Sequence, residues 1–382
     1  MVLTTAVMET QFSEAFRRRI GTESDDALRN LRERAFAYFV ENGFPTVKEE
    51  NWKYTSVVPF VKENWEVAPE TPTHTTTEDV AELLGKFQYE RSGFTALNIA
   101  FAEVSVIRIP KDTSTETPIE LNFAARANKA IFPHVFVVAE RGSKATLIET
   151  YASPAKCFTN AAVQVFVEDD ANLTHYRVQK ESPEAFHVGT SEVTLGRGSY
   201  YNATSINLGG AMSRHDIDLK FTAEGGEAYV DGLYMLSGSQ HADTHSVIDH
   251  LVPNCTSHQN YKGVLNDKSR AVFNGIVFVR ENATGTDAEQ SNKNLLLSNE
   301  ARVDTKPQLE IFNDDVKCSH GATVGQLEEE ELFYLLTRGL PETLARNLLT
   351  YGFAEEIINK IDVASIKDEL DRAVLNRLNA EI

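Results

Sequence analysis

Four polar turns fall at a constant interval in the middle of this chain, and that interval restricts the fold more than any other feature. The turns centre on Gly142, Asp170, Gly198 and Gly226, which are equally spaced along the sequence. They sit inside runs rich in Val, Ile, Phe, Tyr and Thr, over residues 135–148, 163–176, 191–204 and 217–230. Such residues favour extended backbone, and Gly, Asp and Asn supply the tight turns between them. A fixed period of this size marks a solenoid, in which each repeat is one coil stacked on the next. A repeat as long as the step from Gly142 to Asp170 has room for strand, turn and strand but not for a crossover helix. A β-helix with about one coil per repeat therefore fits better than a leucine-rich or helical array. A β-sandwich is the competing arrangement, but nothing in a sandwich requires equal spacing. Past Gly226 the interval is lost, although strand-like segments continue at 263–265, 271–279, 302–303 and 309–312.

The two ends read as helical. Ser24, Asp25 and Asp26 form an N-cap with acids in the first turn. Leu28, Leu31, Ala35, Phe36, Phe39 and Val40 then recur at helical spacing until Gly43. Residues 69–77, rich in Thr and Pro, read as a surface linker. Near the other end a helix is expected over 328–338, closed by Gly339, and Pro341 is placed to start another. Leu344, Leu348 and Leu349 make an apolar stripe there; Ile357, Ile358 and Ile361 follow, and Leu370, Val374 and Leu378 lie four apart on a last helix. Helices that follow a finished solenoid either cap it or dock a partner. The expected organisation is a helical region over 1–94, a β core over 95–325 and a helical region over 326–382.

Charge and motif content narrow the function. The chain has 382 residues and a net charge of −19, which repels phosphate backbones and anionic lipids; neither nucleic acid nor membrane is an expected partner. No run reaches the roughly 18 apolar residues of a membrane span. Residues 1–20 carry Glu9 and Glu14 and lack the apolar core of a secretory signal, so a cytoplasmic address is expected. No Gly-x-x-x-x-Gly-Lys-Ser/Thr run is present, so any ATP used must be hydrolysed by another chain. Gly-x-Ser-x-Gly is absent as well.

The three cysteines, Cys157, Cys255 and Cys318, are far apart and form no C-x-x-C pair. They make neither a disulfide framework nor a self-contained zinc site. Cys318 and His320 are two residues apart, so on a strand they share a face. Thiolate and imidazole both suit iron or zinc. Two ligands do not complete a site, and a cubane cluster takes about four thiolates or substitutes. His241, His245, His250, Cys255 and His258 form a second group. Their intervals are irregular and strand alternation splits them, 241 with 245 and 250 with 258, so they read as polar ladders or turns and no ligand is assigned. Gly321 and Gly325 are expected to relax the backbone where strand gives way to helix.

The run Cys318-Ser319-His320-Gly321-Ala322-Thr323, with Leu332-Phe333-Tyr334-Leu335 and Arg338-Gly339-Leu340, resembles the C-terminal motif of the SufB/SufD family, subunits of the SUF iron–sulfur cluster assembly scaffold. Asn294-Leu295-Leu296-Leu297-Ser298 and Thr305-Lys306-Pro307-Gln308-Leu309-Glu310-Ile311 make a second match. Gly43-Phe44-Pro45-Thr46, Lys48 and Asn51-Trp52-Lys53-Tyr54-Thr55 make a third, closer to the SufD branch than to SufB. The resemblance implies a right-handed parallel β-helix between helical ends and a scaffold subunit that is not itself an enzyme. It also implies a SufB-like partner, paired through the edge strands of the two β-helices, and a SufC-like ATPase docked on the C-terminal helices. An iron–sulfur cluster would be held transiently and shared with the partner, with none in the isolated chain. His320 would serve there as an interface ligand or proton acceptor, with Cys318 a weaker second. Trp52 and Tyr54 take a packing role. Two alternatives remain: a homodimeric SufB-like scaffold, and a β-helix enzyme acting on polysaccharide through carboxylates such as Asp243, Asp249, Asp314 and Asp315.

Overall fold

The computed structural model describes residues 3–68 and 80–377. The expected linker at 69–77 and Leu378 lie outside the described residues. The core is a parallel β-helix of two facing sheets. The first takes its long strands from Glu103–Ile109, Pro133–Ala139, Phe158–Val167, Phe186–Leu195, Met212–Phe221, His241–His250, Arg270–Val279 and Arg302–Ile311. The second takes Ile119–Phe123, Lys144–Tyr151, Asn172–Gln179, Tyr200–Asn207, Glu227–Leu236, Thr256–Leu265, Asp287–Leu296 and Lys317–Gly325. Neighbouring strands pair in parallel, and the chain alternates between the sheets, as a solenoid must.

The register reproduces the interval seen in the sequence. Lys144 pairs with Asn172, Asn172 with Tyr200 and Phe158 with Phe186, and each of these steps equals the spacing of the turns. At the turns the backbone enters the left-handed region at Gly142 (φ 67°), Asp170 (φ 57°) and Gly198 (φ 57°). Only Gly, Asn and Asp adopt this region readily. The turns stack through Gly142 N–H to Asp169 O (3.0 Å) and Asp170 N–H to Arg197 O (2.7 Å). The fourth turn differs from expectation. Its left-handed residue is Gly225 (φ 77°), not Gly226, so the interval shortens by one before it is lost. Later coils are longer: Arg270 pairs with Arg302, a wider step, because the intervening loop grows.

The N-terminal helices cover the outer face of the first sheet. Asp25 caps the helix Asp26–Asn42 by accepting from the backbone N–H of Ala27 (2.8 Å) and Leu28 (3.1 Å), and Gly43 closes it at φ 66°. Leu28, Leu31, Ala35, Phe36 and Phe39 are buried as the spacing predicts, whereas Val40 is exposed because the stripe is narrower than the apolar sequence. Phe60, Trp65 and Phe94 pack on Phe158 and Phe186 of the sheet, and Phe12 packs on Phe132 beside them. Each buried ring of this size contributes about 2–3 kcal/mol.

Trp52 and Thr55 explain the Asn-Trp-Lys-Tyr-Thr run. Trp52 is buried with the Arg214 guanidinium 3.9 Å over its ring. Arg214 donates to Asp243 (2.7 Å) and Asp216 (2.7 Å), and the Thr55 hydroxyl donates to Asp243 (2.5 Å). Burial alone would raise Asp243, but Arg214, His245 and Thr55 outweigh it and hold its carboxyl well below the usual range. The segment thus clasps two neighbouring strands of the first sheet, Met212–Phe221 and His241–His250.

The helices Glu342–Ile358 and Ala364–Arg377 lie on the outer face of the second sheet. Ile357, Ile358, Ile361, Leu370 and Val374 are buried against Tyr176, Ile206, Leu233 and Met235. Lys360 reaches Asp231 (2.7 Å), and Lys262 donates to the Phe353 carbonyl (3.0 Å). The stripe at 344–349 departs from a packed role: Leu344 and Leu348 are exposed, and the buried face uses Ala345, Thr350 and Ala354 instead. Among the described residues no helix is long and apolar enough to cross a membrane.

Candidate functional site

The last coil is an open end of the solenoid. Arg302–Ile311 and Lys317–Gly325 each pair on one side only, so both present a row of unpaired backbone groups. Along Asp287–Leu296 the alternate residues Ala288, Gln290, Asn292 and Asn294 are buried and face the lumen. Register carries that face onto the last strand, where Cys318 lies beside Ala288 and His320 beside Gln290. Cys318 and His320 do share a face, as the spacing predicts, but not an environment. Cys318 packs on the rim of the apolar core, and burial raises its thiol above the usual pKa. The sulfur is therefore a protonated thiol at neutral pH, a poor ligand until a metal displaces the proton. His320, one step further along the open strand, is exposed, and no hydrogen bond or ion pair within the described chain holds its ring. An imidazole left free in this way is available to a group from outside.

No third ligand joins them. Among the described residues no three His, Cys, Asp or Glu side chains are grouped to hold a metal ion. The strand remains regular from Lys317 to Gly325, and neither Gly321 nor Gly325 has positive φ, so these glycines do not form the expected relaxed junction. A Cβ at either position would meet nothing within 4 Å, which keeps the edge beside His320 bare.

Apolar surface surrounds this edge. Ile311, Phe312 and Val324 are exposed at the end coil. The helix Glu329–Thr337 buries none of its residues, and Phe333, its most exposed large side chain, keeps 67% of its surface open. Isolated apolar residues are ordinary on a surface, but a bare sheet edge joined to an unburied helix is not.

The second histidine group does not form a site. His241 lies 2.8 Å from Thr55 in the clasp, and His245 lies 3.0 Å from Asp243. His250 faces the lumen and meets Ser257 at 2.8 Å. His258 is on the other sheet, against the Tyr229 ring, so its parity with His250 carries no shared direction. The carboxylates of the polysaccharide reading are also dispersed. Asp243 is locked to Arg214 and Asp249 to Arg280 (2.7 Å), six residues along one strand and roughly 20 Å apart. Asp314 and Asp315 lie in the exposed turn of the last coil.

Sequence reasoning missed a polar network inside the β-helix. Glu149 lies 2.6 Å from His175 and accepts from Tyr151 (2.8 Å); Glu181 lies 2.8 Å from His187 and accepts from Thr159 (2.5 Å). For both carboxylates burial acts upward, yet the neighbouring imidazoles and hydrogen bonds prevail and hold them below the usual range. The signal was present: Glu149 and Arg177 stand one turn interval apart, at register-paired, inward positions.

Comparison with known proteins agrees with this geometry. Residues 122–353 match the model of the SUF system FeS cluster assembly SufBD core domain, and residues 7–80 match that of the SufBD protein N-terminal region. The chain belongs to the SufBD family. The iron-sulfur cluster assembly protein SufD of Escherichia coli is 31% identical over 383 residues, covering 89% of this chain and 90% of that protein. An iron-sulfur cluster assembly SufBD family protein of Synechocystis is 36% identical over 78% of this chain and 69% of its own length. SufD of Bacillus subtilis is 30% identical over 72% of this chain and 64% of its own. Membership in the SufBD family places this chain in iron–sulfur cluster assembly.

Proposed function

We propose that this chain is a scaffold subunit, without catalytic activity of its own, that forms an iron–sulfur cluster only together with a second β-helix subunit. The observation that carries the proposal is His320: an unpartnered imidazole on a strand paired along one edge only, with no companion ligand set among the described residues of its own chain. A neutral imidazole can replace a thiolate on iron or accept a proton while sulfur is delivered. The remaining ligands come from a SufB-like paralogue that pairs with the free strands Arg302–Ile311 and Lys317–Gly325. The exposed helix Glu329–Thr337 and the outward leucines of Glu342–Ile358 dock a SufC-like ATPase, whose movement opens the strand interface. In isolation the same free edges favour a homodimer, and the cluster is transient cargo on its way to other proteins. A cytoplasmic setting suits a thiol-dependent site with three free cysteines.

The test is co-purification. The chain is expressed alone and with SufB-like and SufC-like subunits, then reconstituted anaerobically with iron and sulfide. The expected result is a stable complex with a visible cluster band that the isolated chain lacks. A chain that stays unbound and colourless beside both partners would overturn the proposal.

A further inference from the structure

A row of polar side chains runs along the lumen towards the open coil. Gln259 Nε2 donates to Ser246 Oγ (2.9 Å), and Gln290 Nε2 donates to Gln259 Oε1 (2.7 Å). All three side chains are buried, Gln290 to 1% exposure. Gln259 and Gln290 are register partners on neighbouring strands of the second sheet, and the next position in that register is His320. The row therefore stops one coil short of the histidine at the edge.

The Gln290 amide spans the lumen and lies over Gly275 of the first sheet, where a Cβ would collide with it. Nε2 is turned back to the preceding coil, so the carbonyl oxygen, on the other side of Cδ, is turned away from that coil. This Oε1 is shielded from solvent and has no hydrogen-bond partner among the described residues. A buried carbonyl oxygen is costly to leave without a donor. Donors on the open side are few. On the facing strand Arg302–Ile311, the Thr305 hydroxyl is given to Asn292 Oδ1 (2.8 Å), and Pro307, the register partner of Gly275, has no N–H. On Lys317–Gly325 the lumen face carries Cys318, His320 and Ala322, and of these only the imidazole is a strong donor. An acceptor without a donor and a ring without a partner thus stand at adjacent register positions.

We propose that Gln290 is a positioning residue for His320: its carbonyl oxygen accepts from one nitrogen of the ring and so directs the other, unprotonated nitrogen outward. Neighbouring strands are about 4.8 Å apart, so an imidazole that leans one coil back meets the oxygen. Exposed side chains change rotamer fast enough to make that turn freely. A neutral imidazole carries hydrogen on one nitrogen only. Donation inward therefore fixes the tautomer and leaves a lone pair at the open edge, aimed at an incoming metal ion or proton. The inference rests on the reading of His320 as an interface group and adds the residue that orients it.

The test uses the isolated full chain labelled with nitrogen-15 histidine, the His320 signals being assigned by their loss in His320→Ala. Spectra are taken at about pH 8, where an ordinary imidazole is neutral. The expected result is a single tautomer for His320 in wild type, an average of the two in Gln290→Leu, and a single tautomer again in Gln290→Glu, which keeps an acceptor oxygen. An averaged ring in wild type, or a single tautomer retained in Gln290→Leu, overturns the proposal; the wild-type spectrum decides even where Gln290→Leu fails to fold. In the reconstituted complex Gln290→Leu should lower the cluster yield by about tenfold. A normal yield from Gln290→Leu beside a lost cluster in His320→Ala overturns the positioning role alone, whereas a normal yield from His320→Ala overturns the reading of His320 itself.

Discussion

At the scale of single residues, exposure separates function from stability. His320 is exposed and makes no hydrogen bond or ion pair among the described residues, so His320→Ala should leave the unfolding free energy in urea within about 0.5 kcal/mol of wild type. In the reconstituted complex the same change should abolish the cluster absorbance, and a normal yield would remove His320 from the site. His250 is the opposite case. Burial pushes its pKa down from 6.5 to about 4, against the weaker upward pull of Asp249. The folded ring stays neutral while the unfolded chain takes up a proton below pH 6.5. The contribution to stability is therefore complete above pH 6.5 and is lost as the pH falls towards 4, by about 3 kcal/mol. His250→Asn should be less stable at pH 7 yet show a flatter decline between pH 6.5 and 4.5 in urea titrations. An unchanged slope would mean that the ring is already protonated in the fold.

At the scale of elements, the exposed face of a helix says more than its apolar spacing. Leu344 and Leu348 repeat as core residues do, yet both are open, and Glu329–Thr337 has no buried face. Phe333 at the centre of that face is the natural anchor for a docked subunit, since buried aromatic anchors dominate interfaces. Phe333→Asp should keep the fold and weaken ATPase-subunit binding by about 2 kcal/mol, a loss of roughly 30-fold by titration calorimetry. Unaltered binding would move the docking surface elsewhere. Element by element, the sequence was legible where local rules govern: the Asp25 cap, the Gly43 stop, and the turns at Gly142, Asp170 and Gly198. It was less legible at Gly226, where the repeat is one residue shorter and the turn falls on Gly225, with another glycine beside it. The histidine group could not be sorted by parity, because parity has meaning only within one strand and the chain changes sheet between His250 and His258. The lumen network escaped notice for a related reason. Glu149, His175 and Arg177 look like surface residues until the register turns them inward.

For the whole molecule, asymmetry follows from how the solenoid ends. Strands at both ends pair on one side only, but the outer face of the first coils is covered by aromatic side chains of the N-terminal helices, while the last coil lacks that cover. Stability in a stacked array is close to a sum of nearest-neighbour terms, so a terminal coil with one neighbour opens most readily. Amide exchange should then rise along the chain, slow in Phe158–Val167 and fastest in Arg302–Ile311 and Lys317–Gly325. Two ties act against full release of the end: Lys306 with Glu50 at 3.1 Å, and Arg270 with Asp304 at 2.6 Å. These ion pairs are exposed to solvent, which screens them, so they contribute little. They hold the edge in register but do not protect it. A partner that adds strands to both free edges supplies the missing neighbour, so exchange in these two strands should slow by at least tenfold in the complex while Phe158–Val167 changes little. Protection confined to the helix Glu329–Thr337 would show that the edges stay free in the assembly, and that His320 meets its cluster without strand pairing.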